Sequence, residues 1–267
     1  MTGPLVAEPS AATGGTDSDK PREATEVHTR ILRLALAMDE SRGYWENVDP
    51  AVPLADRATL AFEQRWFGGK SMERVKFLIA ACSERYDAFP TALEVLRQWG
   101  SMDLETRRVI CHWHLQLSDP LYRAFTGAYL DERRSLPKPH VDRNGALRWV
   151  KTEHPDRWSD ATCVQFASKL LSAASQAKLV SAQRDPRKLQ FPKVPDLALA
   201  YIMYLLRGIR FEGTLIANPY LRSVGLEGGI LDQRLRELPG IRYRRMTHLT
   251  EFDWSAPNLA AWAEATL

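Results

Sequence analysis

Amide, hydroxyl and basic side chains are concentrated between Trp158 and Lys193, and groups of this kind can contact a nucleic acid. Amides and hydroxyls can hydrogen-bond the edges of bases in a groove, whereas lysine and arginine bind phosphates without reading sequence. From Lys178 to Lys193 there are five basic residues and one acidic residue, Asp185. The candidate nucleic-acid-binding residues are Gln165, Ser168, Lys169, Ser172, Lys178, Arg184, Arg187, Lys188 and Lys193.

Two predicted elements would position these side chains. Ser159 is a good N-cap for a helix over residues 160–177, whose apolar positions recur at helical spacing and so predict a buried face. The apolar pair at 179–180, a polar turn at 182–187 and the segment 189–191 predict a hairpin. A helix followed by a basic hairpin is the outline of a winged-helix domain. A solvated helix face beside an ordinary loop is the alternative interpretation.

The whole composition is that of a soluble globular protein, at 45% hydrophobic and 26% charged residues. The formal net charge is only +3, but it is unevenly distributed. Residues 1–130 carry 15 basic and 18 acidic side chains, and residues 131–267 carry 21 and 15. This asymmetry favours a polyanion as the partner of the second half.

Cysteine usage and hydropathy predict a cytoplasmic protein. The three cysteines lie in helical patterns, and an odd number without a signal peptide favours reduced thiols. The longest apolar run, from Leu197 to Leu206, has ten residues, whereas a transmembrane helix needs about 20. We therefore expect no membrane partner, and we expect this run to form a buried helix.

Prolines, glycines and helical periodicity predict a mainly α protein with two helical domains. Residues 1–22 are predicted to be a disordered tail, 23–130 a helical bundle, and 131–145 a linker. Residues 146–267 are predicted to be a helical, winged-helix-like domain with short β-hairpins, the second of them over 241–246 and 248–254. The bundle is predicted to start with a helix over 23–40, and Ser71 and Asp103 are predicted N-caps.

Catalytic and cofactor signatures are not found. The sequence has neither of the glycine-rich phosphate-loop patterns, nor the nucleophile-elbow or metalloprotease motifs. Cys111, His112 and His114 invite a metal hypothesis, but residues one and two apart on a helix point in different directions. We expect no metal, no cofactor and no enzymatic activity, although acids brought together from distant positions could still form a nuclease site.

Five segments resemble the BrxA family of BREX phage-defence systems. They are ADRATLAFEQRWF at 55–67, SMERVKFLIAACSERY at 71–86, LYRAFTGAYLDERR at 121–134, WSDATCVQFASKLLSAASQAKLV at 158–180 and VPDLALAYIMYLLR at 194–207. None of them is a catalytic signature. The resemblance implies a first domain like the NusB antitermination factor, nucleic-acid binding, and a role beside other phage-defence proteins.

Together these features predict a non-enzymatic DNA-binding accessory protein of phage defence, with duplex DNA as its partner. Two alternatives stay open. One is an RNA-binding, NusB-like factor, and the other is a protein-interaction scaffold that binds no nucleic acid. Salt dependence would separate the scaffold from both nucleic-acid binders, because phosphate contacts release counterions.

Overall fold

The computed structural model describes residues 20–182, 184–246 and 249–267, and it is mainly helical with short antiparallel hairpins. The predicted mainly α class is therefore confirmed. Before residue 135 the elements are α1 (Arg30–Arg33), α2 (Met38–Asn47), α3 (Leu54–Glu63), α4 (Met72–Tyr86), α5 (Pro90–Gln98), α6 (Leu104–Ser118), α7 (Pro120–Ala124), a π-helical turn (Phe125–Tyr129) and α8 (Leu130–Arg134).

The second half adds two small sheets to the helices. Its elements are β1 (His140–Val141), α9 (Arg143–Glu153), α10 (Asp160–Gln176), β2 (Arg187–Lys188), α11 (Asp196–Gly208), α12 (Pro219–Ser223), α13 (Gly228–Glu237), β3 (Ile241–Met246), β4 (Leu249–Trp254) and α14 (Leu259–Thr266). Strands β1 and β2 pair antiparallel, as do β3 and β4. The predicted second hairpin is thus confirmed, except that His248 lies outside the described residues.

Side-chain caps explain where several helices begin. Ser71, Asp103 and Ser159, the N-caps predicted from sequence, each accept a hydrogen bond from a first-turn N–H. Asp142 and Asn218 cap α9 and α12 in the same way. Each cap satisfies an N–H that has no partner within its helix.

The predicted helix over residues 23–40 is wrong. Leu34 is extended, and Ala37 adopts a left-handed conformation with φ of 52°. These two positions separate the short α1 from α2, because a continuous helix needs right-handed angles at every residue. The apolar spacing that suggested one helix belongs to two segments instead. Ile31 and Leu34 are buried in the first, and Met38, which begins α2, is partly buried against the core.

Helix α6 lies at the centre of the molecule, and every residue from Arg108 to Leu117 is buried. Its polar side chains bond to the second half of the chain. The Trp113 indole N–H donates to the Tyr220 carbonyl at 3.0 Å, and His114 Nε2 lies 2.7 Å from the Tyr201 hydroxyl. Buried residues from both halves form one hydrophobic cluster around it.

The segment 131–145, predicted to be a linker, contains regular structure. It includes the end of α8, strand β1 and the start of α9, and β1 pairs with β2 from much later in the chain. The division into two domains at this segment stays a prediction, and the buried contacts of α6 show that the two halves are in direct contact.

Residues 20–28 form an N-terminal strap that touches both halves. The Glu23 carboxylate accepts from the Glu212 N–H at 2.8 Å and from the Tyr220 hydroxyl, and it lies 3.5 Å from Arg123 Nε. Of the predicted tail, residues 1–19 lie outside the described part of the chain. Residues 20–22 belong to the strap, because the Arg210 N–H donates to the Pro21 carbonyl at 2.8 Å.

Helix α11 is buried from Ala198 to Leu206, which confirms the burial predicted for the ten-residue apolar run. Leu197, its first apolar residue, is the exception, with 41% of its surface exposed. In the described part of the chain, every helix is too short or too polar to cross a membrane.

Candidate nucleic-acid interface

Helix α10 presents a polar face to solvent, as its periodicity predicts. Cys163, Phe166, Leu170 and Ala174 are among its buried residues. Gln165 and Lys169 are exposed, and Ser168 and Ser172 are half-buried at the edge of the same face. The Ser168 hydroxyl donates to the Val164 carbonyl at 2.9 Å, so its proton is already used within the helix.

The hairpin predicted after α10 is present in short form. Val180 and Leu189 pair antiparallel, and the Gln190 N–H donates to the Leu179 carbonyl at 3.0 Å. Gln183, in the predicted turn, lies outside the described residues. Strand β1 extends the hairpin by pairing His140 with Lys188. The exposed Lys138 and Arg143, which flank β1, therefore lie next to the basic turn.

Arg187 holds the hairpin against α10 and is not a free phosphate-binding group. Its guanidinium donates to Asp185 at 2.9 Å and to the Leu171 carbonyl at 3.2 Å. Partial burial alone would raise the pKa of Asp185. The hydrogen bonds from Arg187 and from the Arg143 N–H outweigh this and lower that pKa below its usual value. Asp185 is therefore ionised at neutral pH and paired inside the hairpin.

Lys178 is also engaged, because its ammonium lies 3.3 Å from a Glu105 carboxylate oxygen. The pKa of Glu105 is lowered, first by its hydrogen bond from Arg108 and then by Lys178. Both partners of this ion pair are partly exposed, so it contributes little to stability. A phosphate could compete for Lys178 at small cost.

Four candidate cations are exposed without an ion-pair partner among the described residues: Lys169, Arg184, Lys188 and Lys193. We call them the basic patch. Lys169 is on α10, Arg184 and Lys188 are on the hairpin, and Lys193 follows the hairpin. Because Asp185 is already paired with Arg187, the nearest acid does not neutralise these side chains.

A second polar surface, which sequence reasoning missed, is a helix–turn–helix followed by a hairpin. Helices α12 and α13 are joined by residues 224–227, and Gly225 in this turn has φ of 79°. A three- or four-residue turn that contains glycine is typical of helix–turn–helix units. Strands β3 and β4 follow α13 in the chain and pair as a hairpin, and β3 packs against α13. The outer face of α13 exposes Ile230, Gln233 and Arg236.

Arg236, Arg242 and Arg244 line a groove of about 720 Å³ between α13 and β3, which we call the hairpin groove. Arg242 lies 3.8 Å from Asp253, and both side chains are well exposed. Arg244 stands opposite Glu251 in the strand register. The positive charge of the groove is thus partly offset by acids on β4.

The basic hairpin and the helix–turn–helix are joined by direct contacts. The Phe191 ring covers Gly225, because a Cβ added there would lie 2.8 Å from two ring carbons. The Arg134 guanidinium carbon lies 4.3 Å from the centre of the same ring. Arg234 on α13 donates to the Val194 carbonyl at 2.8 Å, so Lys193 lies between the two units. The basic patch and the helix–turn–helix are therefore neighbours.

His112 is buried in the core, and both of its ring nitrogens have hydrogen-bond partners. The Ser223 hydroxyl donates to the Tyr220 carbonyl, so it accepts from His112 Nε2, 2.8 Å away. The Tyr122 hydroxyl then donates to Nδ1 at 2.9 Å. Burial lowers the pKa of His112 to about 3 and keeps it neutral. Within the described residues, no group of three or more His, Cys, Asp or Glu side chains is placed to bind a metal ion.

Comparisons with known proteins add a likeness of fold. No family model matches the chain, and no curated protein matches it. The crystal structure of an uncharacterised protein from Magnetospirillum magneticum is similar, with a TM-score of 0.53 and 16% sequence identity. The match covers 70% of this chain and 99% of that chain. At this identity the likeness concerns the fold alone.

Proposed function

We propose that this chain is a non-enzymatic protein that binds duplex DNA. The observation that carries the proposal is the α12–turn–α13 unit, which the β3–β4 hairpin follows in the chain. In helix–turn–helix proteins the second helix enters the major groove and the neighbouring elements contact the backbone. Gln233 and Arg236, on the outer face of α13, are side-chain types that can hydrogen-bond base edges.

The basic patch supplies the phosphate contacts in this proposal. Lys169, Arg184, Lys188 and Lys193 are exposed, and Lys178 can exchange Glu105 for a phosphate. Contacts of this kind fix the position of a protein on a duplex and dominate the salt dependence of binding. Gln165, Ser168 and Ser172 on α10 stay as predicted base contacts. Of these, Gln165 has the amide best placed to reach a ligand, because it is exposed.

We further propose that the protein works in the cytoplasm as an accessory factor of a BREX phage-defence system, beside other defence proteins. This part depends on the resemblance of the five segments between residues 55 and 207 to the BrxA family. Two observations support an accessory role without catalysis. The proposed surface consists of lysine, arginine and amide groups, and the sequence has no catalytic motif.

The test is a binding series by fluorescence anisotropy with the full chain. Labelled duplex DNA, duplex RNA and single-stranded RNA are titrated at salt concentrations between about 50 and 200 mM. We expect the duplex DNA to bind most tightly, with an affinity that falls steeply as salt rises. Tighter binding to either RNA would support the RNA-binding alternative. No binding to any of the three at the lowest salt would support the scaffold and would overturn the proposal.

A further inference from the structure

A cleft of about 760 Å³ lies where the N-terminal strap, α7 and the segment after α11 meet. Its wall contains four arginines, Arg22, Arg123, Arg210 and Arg222, and two glutamates. The arginines come from the strap, from α7, from the segment after α11 and from α12. The volume is in the range of small-molecule sites, which is roughly 300–1,000 Å³.

Arg123 and Glu23 form an ion pair within the protein. The Arg123 guanidinium donates to the Gln116 carbonyl at 2.6 Å and to the Ala24 carbonyl at 2.7 Å, and it pairs with the buried Glu23. Apart from the Arg123–Glu23 pair, the wall contains three arginines, Arg22, Arg210 and Arg222, and one glutamate, Glu212, so its formal charge is positive whatever pairs form within it. The cleft is therefore a concave surface with an excess of guanidinium groups, which concentrates anions.

Arg222 is the arginine best placed to bind a ligand. It is half-buried at the end of α12, and its hydrogen bond to the Gly127 carbonyl, at 3.5 Å, is long. A guanidinium presents five N–H donors, and this weak bond occupies only one of them. The remaining donors match the geometry of a phosphate group.

The wall next to Arg222 is built by the π-helical turn at Phe125–Tyr129, whose Gly127 and Ala128 line the cleft. Gly127 in this turn packs so closely on Pro219 that a Cβ there would lie 2.5 Å from the Pro219 Cβ. Ala124 and Ala128, from the same helix, also line the cleft. Single π-turns within α-helices frequently mark functional sites. Small apolar side chains on this wall leave room for the organic part of a ligand.

We infer that this arginine cleft binds a small phosphorylated molecule, with the phosphate on Arg222 and the organic part against Ala124 and Ala128. Such a ligand would touch the strap, α7 and α12 at once. It would therefore stabilise the joined arrangement of the two halves, since a ligand that binds only the folded state raises its stability. The cleft shares α12 with the helix–turn–helix, but the side chains proposed to contact DNA, on α13, α10 and the basic hairpin, do not line it.

The test is isothermal titration calorimetry of the full chain with AMP, pyrophosphate, inorganic phosphate and uncharged adenosine. We expect AMP or pyrophosphate to bind and adenosine not to bind. Arg222→Gln should weaken the affinity at least about tenfold, because it removes a charge-assisted contact. Ala128→Phe should abolish binding by filling the cleft without changing its charge. Arg74→Gln, on α4, is the matched control and should bind like the wild type.

Three results would overturn the inference. They are no heat of binding from the wild type with any phosphate probe, unchanged affinity in Arg222→Gln, and unchanged affinity in Ala128→Phe. Circular dichroism of each variant checks that it is folded, and Ala128 is exposed, so phenylalanine should not disturb the core. A duplex oligonucleotide without terminal phosphates should not displace AMP. The proposed DNA binding is tested independently, because it should survive in Ala128→Phe, whose substitution lies outside the helix–turn–helix.

Discussion

The ring of Phe191 lies flat against Gly225, so that a Cβ at Gly225 would meet three ring carbons at 2.8–2.9 Å. This contact joins the end of the basic hairpin to the turn between α12 and α13. Residue 225 is a glycine for two reasons. The ring leaves no room for a Cβ, and φ of 79° is unfavourable for residues with a side chain. The contact fixes the distance between the two surfaces proposed to bind one duplex.

Gly225→Ala should destabilise the protein by roughly 2 kcal/mol, from the left-handed backbone and from the clash with Phe191. In a Phe191→Ala background the clash is absent, so the same change should cost roughly 1 kcal/mol. Urea unfolding of the four proteins in this double-mutant cycle measures the difference. Equal costs in both backgrounds would show that the ring does not restrict residue 225.

Replacing Lys169, Arg184 and Lys188 with alanine should weaken binding about equally on all duplex DNA sequences. The slope of log affinity against log salt should flatten by up to about 0.9 for each phosphate that the variant no longer neutralises. Anisotropy titrations at several salt concentrations measure both effects. The control is Lys70, Arg74 and Lys76 to alanine, which removes the same charge from the exposed face of the first half. Identical slopes for the two triple variants would contradict the basic patch.

Arg236→Ala together with Arg244→Ala should lower duplex affinity about tenfold or more, since each is an exposed guanidinium of the hairpin groove. Arg33→Ala with Arg74→Ala is the control for the removal of two positive charges. If Arg236 reads a base, Arg236→Ala alone should also reduce discrimination between duplex sequences. A double variant that binds like the control pair would show that this groove does not face the duplex.

Arg187→Ala should reduce stability by about 1–2 kcal/mol, because it removes the bonds to the Leu171 carbonyl and to Asp185, which keeps only the Arg143 N–H as a donor. Arg184→Ala, three residues earlier and exposed, should change stability by less than about 0.5 kcal/mol. Urea unfolding distinguishes the two. If both variants unfold at the same denaturant concentration, the bonds of Arg187 are not significant for the hairpin.

Stability should fall as the pH drops from 6.5 towards 3, because burial lowers the pKa of His112 and His114 to about 3. In that interval the unfolded chain binds protons that the folded chain cannot, at a cost of roughly 1.4 kcal/mol per histidine for each pH unit. Burial raises the pKa of Asp119, so the folded chain takes up this proton more readily than the unfolded chain does. Protonation of Asp119 therefore increases stability as the pH falls and partly offsets the histidines. In His114→Gln the decrease in stability between pH 7 and 5 should shrink by roughly 2 kcal/mol. If stability decreases in His114→Gln as much as in the wild type, His114 does not contribute to the pH dependence of stability.

The Ser159-capped helix and both hairpins could be predicted because their signals are local. Ser159 precedes an apolar repeat, and alternation marks β3 and β4. The helix–turn–helix could not be recognised from local signals. Helix α12 has only five residues, which is too short for a periodic pattern. Gly228 is of a type common in turns, but in the structure it is the first residue of α13. Arg187 is a residue whose role the sequence suggests wrongly. Its charge suggests a contact with a ligand, but in the folded chain it donates to the Leu171 carbonyl.

The arginine cleft could not be predicted, because its guanidinium groups come from positions as distant as Arg22 and Arg222. The same holds for the strap. Periodicity places Glu23 at the start of a helix, whereas its partners Arg123 and Tyr220 lie far along the chain. Local propensity contains no information on such contacts.

The burial of α6 from Arg108 to Leu117 has a consequence for hydrogen exchange. Amides in this stretch have no path to solvent through local fraying, because elements from both halves cover the helix and bond to Trp113 and His114. Exchange there requires opening of the whole molecule. Deuterium uptake by this one peptide is therefore a direct measure of the global unfolding free energy.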